Sequence, residues 1–275
     1  MSSGFWRRRN AQWNVMGNQF VSRGHTAQMG SQIHQSCQIG AGTLYGHNTV
    51  IAENVRIGVN CRIGHGVVIH PDTVIGNEVR IDDNSVIGKL PMKAALSAIT
   101  QEQELPPCEI ADNCLIGALT ILYRGCKLGT KAMVADMASI RENVEVGEYT
   151  IIGRGVTVEN KVKIGKRCKL ETESYITALS EIEDGCFIAP EVTFTNDNFL
   201  GRTKERFKFH KGVTVKRGGR IGANVTVLPG ITIGADALVA AGSVVTRDVP
   251  DKKLVMGSPA KVKRDVPSEQ LLDNQ

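Results

Sequence analysis

An asparagine and an aspartate lie side by side where the most regular part of the sequence ends. Asn196 and Asp197 follow a long run of evenly spaced aliphatic residues and open a polar stretch at 195–214. A carboxylate can orient a reacting group through a hydrogen bond and accept or relay its proton, and an asparagine amide can hold a polar group without adding charge. The same residue types also favour Asx turns. The pair therefore predicts a reactive site, a turn, or both at once.

The stretch after this pair is strongly basic. Residues 201–220 hold eight basic side chains and one acidic one, an excess of +7, whereas the whole chain carries only +5. Charge concentrated in one segment favours a diphosphate or another phosphate-bearing ligand over a diffuse nucleic-acid surface. A solvated loop kept soluble by its lysines is the alternative. The basic residues are Arg202, Lys204, Arg206, Lys208, Lys211, Lys216, Arg217 and Arg220.

Histidines and cysteines do not predict a metal centre. His65 and His70 resemble the paired zinc ligands of the γ-type carbonic anhydrases, but the stretch around Met29 lacks the third histidine. Each cysteine stands two residues before an aliphatic residue of the regular series, and no Cys-x-x-Cys pair occurs. We expect the thiols to be small buried hydrophobic groups, with neither metal nor disulfide. They are Cys37, Cys61, Cys108, Cys114, Cys126, Cys168 and Cys186.

A six-residue period organises most of the chain. An aliphatic or aromatic residue recurs at every sixth position from 33 to 87, from 110 to 194 and from 215 to 245, which makes 31 hexads. A slim side chain such as Thr43 or Cys61 stands two residues before many of these positions. A repeat on this scale predicts a solenoid with one continuous core.

The corners of the solenoid can also be located. Asparagine or glycine, which tolerate positive φ, often follows the aliphatic residue by three positions. A short strand and a corner make one side of a prism, and three sides make a coil. We therefore expect an all-β fold, a parallel β-helix of about ten coils stacked about 4.8 Å apart. The corner residues are Gly42, Asn48, Asn54, Asn60, Gly66, Asn84, Asn113, Gly125, Gly185, Asn224, Gly230 and Gly242.

Two interruptions of the period predict loop excursions at 88–108 and 195–214, since 23 and 21 residues separate the flanking hexads. Long excursions from a regular solenoid are often kept for binding. We expect a β-helix domain at 20–260, an N-terminal extension at 1–19 and a C-terminal tail at 261–275. The fifteen hexads at 110–194 leave no room for a helical insertion.

Repeated aliphatic-glycine pairs, such as Ile57-Gly58 and Ile164-Gly165, resemble the repeats of the hexapeptide acyltransferases over about residues 20–260. The resemblance implies that the β-helix is left-handed. It also implies an acyl-CoA co-substrate and a homotrimer with active sites between neighbouring prisms.

Residues 194–199 (FTNDNF), Arg202 and residues 220–230 (RIGANVTVLPG) resemble nucleotide-linked amino-sugar N-acyltransferases. The likeness is greatest to those that acylate a dTDP-3-amino-3,6-dideoxyhexose, for surface polysaccharide. It implies that Asn196 and Asp197 lie beside the acceptor amine as catalytic residues. Some relatives have a histidine on an earlier coil, and Glu171 is the candidate here. The expected substrate-binding residues are Phe199, Arg202 and Arg206.

The C-terminal coils resemble the CoA end of these enzymes. Their small residues leave room for a pantetheine arm, and residues 255–261 (VMGSPAK) resemble the closing Gly-Asn-Pro-Ala-Lys turn, with Ser258 in place of Asn. We expect acetyl-CoA or another acyl-CoA as co-substrate, without a metal. The expected cofactor-binding residues are Lys216, Arg217, Gly222, Ala223, Ala241, Lys252, Pro259 and Lys261.

Two alternatives stay open beside this interpretation. An O-acetyltransferase of the serine or galactoside type would need a histidine base, and His210 is the only histidine after His70. A non-catalytic solenoid would need neither the Asn-Asp pair nor the closing turn.

No apolar stretch in residues 1–35 is long enough for a signal sequence or a membrane span, so we expect a cytoplasmic protein without integral membrane association and without a nucleic-acid partner.

Overall fold

The computed structural model describes residues 13–15, 29–95 and 103–275. Successive strands fall in turn on three sheets, which we number 1, 2 and 3, with 12, 10 and 12 strands. Edge A joins sheet 1 to sheet 2, edge B joins sheet 2 to sheet 3, and edge C joins sheet 3 to the next strand of sheet 1. The predicted all-β parallel β-helix is confirmed.

Sheet 1 contains β1 (Trp13–Val15), β2 (Gln32–His34), β5 (Val50–Ile51), β8 (Val68–Ile69), β11 (Val86–Lys89), β14 (Ile121–Tyr123), β17 (Ser139–Ile140), β20 (Thr157–Val158), β23 (Tyr175–Ile176), β26 (Thr193–Phe194), β29 (Thr226–Val227) and β32 (Val244–Val245). Sheet 2 contains β3 (Gln38–Ile39), β6 (Arg56–Ile57), β9 (Val74–Ile75), β12 (Glu109–Ile110), β15 (Lys127–Leu128), β18 (Glu145–Val146), β21 (Lys163–Ile164), β24 (Glu181–Ile182), β27 (Thr214–Val215) and β30 (Thr232–Ile233). Sheet 3 contains β4 (Leu44–Tyr45), β7 (Arg62–Ile63), β10 (Arg80–Ile81), β13 (Leu115–Ile116), β16 (Met133–Val134), β19 (Ile151–Ile152), β22 (Lys169–Leu170), β25 (Phe187–Ile188), β28 (Arg220–Ile221), β31 (Leu238–Val239), β33 (Lys253–Met256) and β34 (Lys261–Asp265). Short 3-10 helices occupy Glu205–Lys208, Ser268–Gln270 and Leu272–Asn274.

The hexads place the core as predicted. Each of the 31 hexad positions lies in a strand, and all of them are buried except Ile33, Ile39 and Tyr45, which are partly buried. Parallel pairing usually joins residues 18 apart, as in Ile69 with Ile87. One coil therefore takes three hexads, and its core is a stack of aliphatic side chains.

The corners also agree with the sequence. All twelve predicted corner residues have positive φ, between 56° and 82°. Gly42 shows why a side chain is excluded there, because a Cβ atom would lie 2.2 Å from Oδ1 of Asn60 on the next coil. Six of the seven cysteines are buried and Cys37 is partly buried, as small core side chains, and all are free thiols.

The coil number needs a small correction, from about ten to about twelve turns. Strand β1 pairs antiparallel with β2, and β33 continues sheet 3 after the last hexad. The sequence missed this last turn because the spacing from Val245 to Val255 is ten residues rather than a multiple of six. Strand β34 then returns antiparallel along β33.

Both excursions leave the prism at edge A, after β11 and after β26. The first begins later than predicted, because Gly88 and Lys89 still belong to β11, and Cys108 is already back in the core. We call residues 90–107 loop 1, of which 96–102 lie outside the described residues. Loop 2 is 195–213, since Thr214 belongs to β27. The strands from β12 to β26 follow one another without a helical insertion, as predicted.

Candidate functional site

The carboxylate of Asp197 holds the base of loop 2 together. Its Oδ1 accepts a hydrogen bond from the backbone N–H of Phe199 at 2.8 Å, and its Oδ2 accepts one from Gly201 at 2.9 Å. The guanidinium of Arg206 donates to Oδ2 at 2.9 Å. The Asx turn anticipated from the sequence is therefore present, and Arg206 closes it from nine residues further along the chain.

These contacts fix the charge of Asp197. Desolvation alone would raise the pKa of its carboxyl group, but the N–H groups of Gly201 and Phe199 and the guanidinium of Arg206 outweigh it and lower the pKa to about 2. The group is therefore a carboxylate at neutral pH. A carboxylate with so low a pKa is a weak proton acceptor but a good orienting anion.

Two polar side-chain atoms at the base of loop 2 are buried without a hydrogen-bond partner. They are Nδ2 of Asn196 and Nε2 of His210. Nε2 of His210 lies 3.8 Å from Oδ2 of Asp197, too far for a hydrogen bond. Buried polar atoms normally find partners, but the described residues supply no hydrogen-bond partner for these two atoms. The sequence identified Asn196 and Asp197 as candidates but did not predict that His210 lies beside them.

Glu171 is not part of this cluster within one chain. It follows β22 of sheet 3 and therefore lies on edge C, whereas Asn196 and Asp197 follow β26 of sheet 1 and lie on edge A. A single prism therefore does not bring Glu171 to the pair, and its role as their second polar partner stays a prediction. The physical reason is the threefold order of the sheets, because residues share an edge only when three hexads, or a multiple of three, separate them.

The three expected substrate-binding residues have different surroundings on loop 2. Phe199 is half-buried, with its ring 5.9 Å from that of Phe209. Arg206 is engaged with Asp197, and its side chain is mostly buried. Arg202 is exposed, and no hydrogen bond or ion pair of its side chain is found in the part of the chain that the structure describes.

The expected cofactor-binding residues lie on two edges. Lys216, Arg217 and Lys252 are on edge B, whereas Gly222, Ala223, Ala241 and Pro259 follow strands of sheet 3 on edge C, and Lys261 begins β34. Pro259 follows a cis peptide bond and is exposed, as is Lys261. A single prism does not gather the eight residues around one groove.

Two of these basic residues already have acidic partners. Nζ of Lys216 donates to Glu183 at 2.7 Å, a contact that raises the pKa of the lysine and lowers that of the glutamate. Arg217 forms an ion pair with Asp273 of the 3-10 helix Leu272–Asn274, which raises the pKa of the arginine. A phosphate group would have to displace these carboxylates.

A charged network lies on edge A between the two loops. Arg141 forms ion pairs with Glu142 at 2.9 Å and with Glu159 at 3.4 Å, and its guanidinium lies 5.0 Å from the ring centre of Tyr123. The side chain of Glu142 is only 2% exposed. The described residues contain no cluster of three or more histidine, cysteine, aspartate or glutamate side chains that could hold a metal ion. No helix among them is long and apolar enough to cross a membrane.

Comparison with known proteins supports the class that the repeat and the β-helix indicate. Residues 217–247 match the family model described as hexapeptide repeat of succinyl-transferase. The bifunctional protein GlmU of Nitratidesulfovibrio vulgaris is 30% identical over 169 residues, which cover 54% of this chain and 36% of that protein. The chain thus spans little more than a third of the length of that relative. The repeat, the fold and this match support the hexapeptide-repeat acyltransferase family.

Two solved structures are similar as well. The UDP-N-acetylglucosamine acyltransferase of Arabidopsis has a TM-score of 0.57 and 18% identity, covering 90% of this chain and 74% of that one, which shows a shared fold. The GDP-perosamine N-acetyltransferase of Caulobacter crescentus, solved with CoA and GDP-perosamine, has a TM-score of 0.43 and 28% identity, covering 50% of this chain and 59% of that one. A TM-score that low supports no argument about substrate.

Proposed function

We propose that the protein is an acyl-CoA-dependent N-acyltransferase, with acetyl-CoA as the first choice of donor. Its acceptor is the amino group of a nucleotide-linked amino sugar such as a dTDP-3-amino-3,6-dideoxyhexose, used for surface polysaccharide. One observation carries the proposal. At the base of loop 2, the unpaired Nδ2 of Asn196 and Nε2 of His210 lie beside a carboxylate, Asp197, that is held in its charged form.

The reaction needs a positioned amine and an acceptor for its proton. The amine nitrogen attacks the thioester carbonyl carbon from about 3 to 3.5 Å, a C–N bond forms, the C–S bond breaks, and the products are an amide and free CoA. Asp197 attracts the amine and orients it, while Asn196 holds a neighbouring polar group of the sugar. His210 accepts the proton and returns it to the leaving sulfur, since imidazole is the commonest side chain in this role.

The donor end is proposed for the C-terminal coils. Gly222, Ala223 and Ala241 are the proposed contacts of the pantetheine arm, and the exposed Pro259 and Lys261 are the proposed contacts of the adenine end. Lys252 on edge B is then a phosphate contact, and Lys216 and Arg217 join it once a phosphate displaces Glu183 and Asp273 from them. Because these residues occupy two edges of one prism, a complete donor site needs a second prism beside the first.

An exposed apolar surface supports the homotrimer on which such a site depends. Leu115 and Met133 point outward from adjacent strands of sheet 3, and Leu119 and Met137 continue this surface along edge C. Large exposed apolar side chains that lie together mark protein contacts. Three copies around a threefold axis would cover this surface and place edges of neighbouring prisms side by side.

A thiol-release assay tests the function. Acetyl-CoA is mixed with the protein and with dTDP- and UDP-linked amino sugars, each paired with the matching sugar that bears a hydroxyl in place of the amine. Release of CoA with the amino sugars alone supports the proposal. Release with the hydroxyl sugars, or with none, would overturn it.

An O-acetyltransferase of the serine or galactoside type is the second candidate. One observation favours it: His210 lies beside a carboxylate with an unpaired Nε2, the kind of base that activation of a hydroxyl requires. The hydroxyl arm of the same assay decides between the two functions.

A further inference from the structure

The fold divides the basic residues of 201–220 into two groups. Lys216 and Arg217 lie on edge B and are neutralised by Glu183 and Asp273, and Arg206 is neutralised by Asp197. Arg202, Lys204, Lys208 and Lys211 remain on loop 2, where they are exposed. None of these four has a carboxylate partner among the residues that the structure describes. Four unpaired cations on one short loop create a local field suited to an anion with several charges.

The same loop presents aromatic rings to solvent. Phe207 is 50% exposed and Phe209 is 56% exposed. In a 3-10 helix, residues three apart lie on the same side, so Lys204, which precedes the helix Glu205–Lys208, shares a side with Phe207. The guanidinium of Arg206 lies 4.8 Å from the ring centre of Phe207, and the ring of His210 lies 5.8 Å away at an edge-on angle. One half of the Phe207 side chain is thus supported by loop residues and the other half is open.

The loop is held in place before any ligand arrives. The three hydrogen bonds to Asp197 fix its first turn and tie Arg206 back to it. At the other end, the backbone N–H of Val213 donates to Oγ of Ser180 on the preceding coil at 3.1 Å. A surface fixed in this way loses little conformational freedom on binding.

From these observations we infer that loop 2 binds a nucleoside diphosphate, with the base stacked on Phe207 and the phosphates held by Arg202, Lys204 and Lys208. The inference rests on the proposed function, because that diphosphate is taken to belong to the acyl acceptor. Acyl-CoA contains the same chemistry in its adenosine diphosphate part. The acceptor is favoured because loop 2 leaves edge A and carries Asn196, whereas the residues proposed for CoA lie on edges B and C.

Equilibrium binding tests this with the full-length protein and with dTDP, UDP and CoA as separate probes, none of which requires turnover. Stacking of one base on an aromatic side chain is worth about a 5- to 150-fold change in Kd. Phe207→Leu should therefore weaken dTDP or UDP binding about 5- to 150-fold and leave CoA binding unchanged. Leu200→Ala is the matched control, because Leu200 is on the same loop, is 88% exposed and has no ring. Lys204→Ala with Lys208→Ala should weaken the same probes and reduce the dependence of their Kd on salt.

The outcomes separate the inference from the proposed function. Loss of dTDP or UDP affinity in Phe207→Leu, with no loss in Leu200→Ala, supports the inference even if acyl transfer is never observed. If wild-type protein transfers acetyl groups to amino sugars but Phe207→Leu binds dTDP and UDP as tightly as wild type, the proposed function survives and the inference fails. A loss of CoA affinity alone would show that loop 2 serves the donor, and that too overturns it.

Discussion

Asp197 is expected to act as a fixed anion rather than as the base, and the pH dependence of turnover tests this. Its carboxylate accepts three hydrogen bonds and its pKa is about 2. At pH 7 only about one molecule in 10⁵ therefore carries a proton on Asp197. A group about five units below the working pH takes a proton from an amine weakly. If Asp197 were nevertheless the base, its own protonation would limit turnover only near pH 2.

The variants should divide these roles between two residues. His210→Gln should lower kcat about 10²- to 10⁴-fold, because the proton acceptor is gone. Asp197→Asn should lower kcat by at least about 10²-fold, because it removes the charge that orients the amine. Asn196→Ala should be milder and act partly through the KM for the acceptor. Thiol release with acetyl-CoA and an amino-sugar nucleotide, measured across pH, gives all these quantities.

The fold of loop 2 provides the control. Because the pKa of Asp197 is lowered from 3.8 in the folded protein, its stabilising contribution is complete above that value and is lost as the pH falls towards about 2. Above pH 4, loop 2 of the wild-type protein should therefore be equally ordered throughout, so changes of rate there report chemistry. If Asp197→Asn keeps most of its turnover while Glu171→Gln is inactive, the essential group is on edge C and the reasoning fails. A kcat that stays close to that of wild type in His210→Gln would remove His210 from the mechanism.

Two further predictions concern the donor end and the assembly. Lys261→Glu should raise the KM for acyl-CoA and leave the KM for the sugar nearly unchanged. Steady-state kinetics with each substrate varied in turn measure both constants. The reverse pattern would mean that the donor and acceptor ends of the site have been assigned the wrong way round. Met133→Arg should convert a trimer into monomers, because it puts a charge into the exposed apolar surface of sheet 3. Light scattering measures the oligomeric state of this variant and of the control Lys163→Ala, which lies on the polar sheet 2. If both variants stay trimeric, the assignment of the apolar surface to the trimer interface is wrong.

Repetition explains how much of the fold could be predicted. A hexad that repeats 31 times fixes which residues point inward, and all twelve predicted corners adopt positive φ. The last turn was missed because its strand, β33, follows a change of spacing. The sequence alone could have shown that Glu171 and Asn196 lie on different edges. The hexad positions before them, Leu170 and Phe194, are 24 residues or four hexads apart, and only a multiple of three hexads returns to the same edge.

The contacts of the site were out of reach for a different reason. His210 meets Asp197 across thirteen residues of an irregular loop, and Arg217 meets Asp273 across 56 residues. No period relates these positions, so their proximity depends on the path of the loop and of the C-terminal segment. The sequence could identify Asn196 and Asp197 by resemblance, but not the side chains that determine their charge and partners.

The network on edge A shows how structural and catalytic roles can be separated in such a prism. Glu142 is almost fully buried, and its carboxylate accepts two hydrogen bonds from the guanidinium of Arg141, at 2.9 and 3.2 Å. Arg141→Ala would leave a buried carboxylate without this cation, at a cost of about 3–5 kcal/mol, measured by urea unfolding. The double variant Arg141→Met with Glu142→Leu removes both charges and should recover most of that loss, because a buried pair contributes little net stability. We expect its turnover to match wild type, since the reaction is assigned to the base of loop 2, about three coils or 14 Å away. A stable but inactive double variant would show instead that the acceptor reaches this network along edge A. The active site would then lie between loop 1 and loop 2 and not only at the base of loop 2.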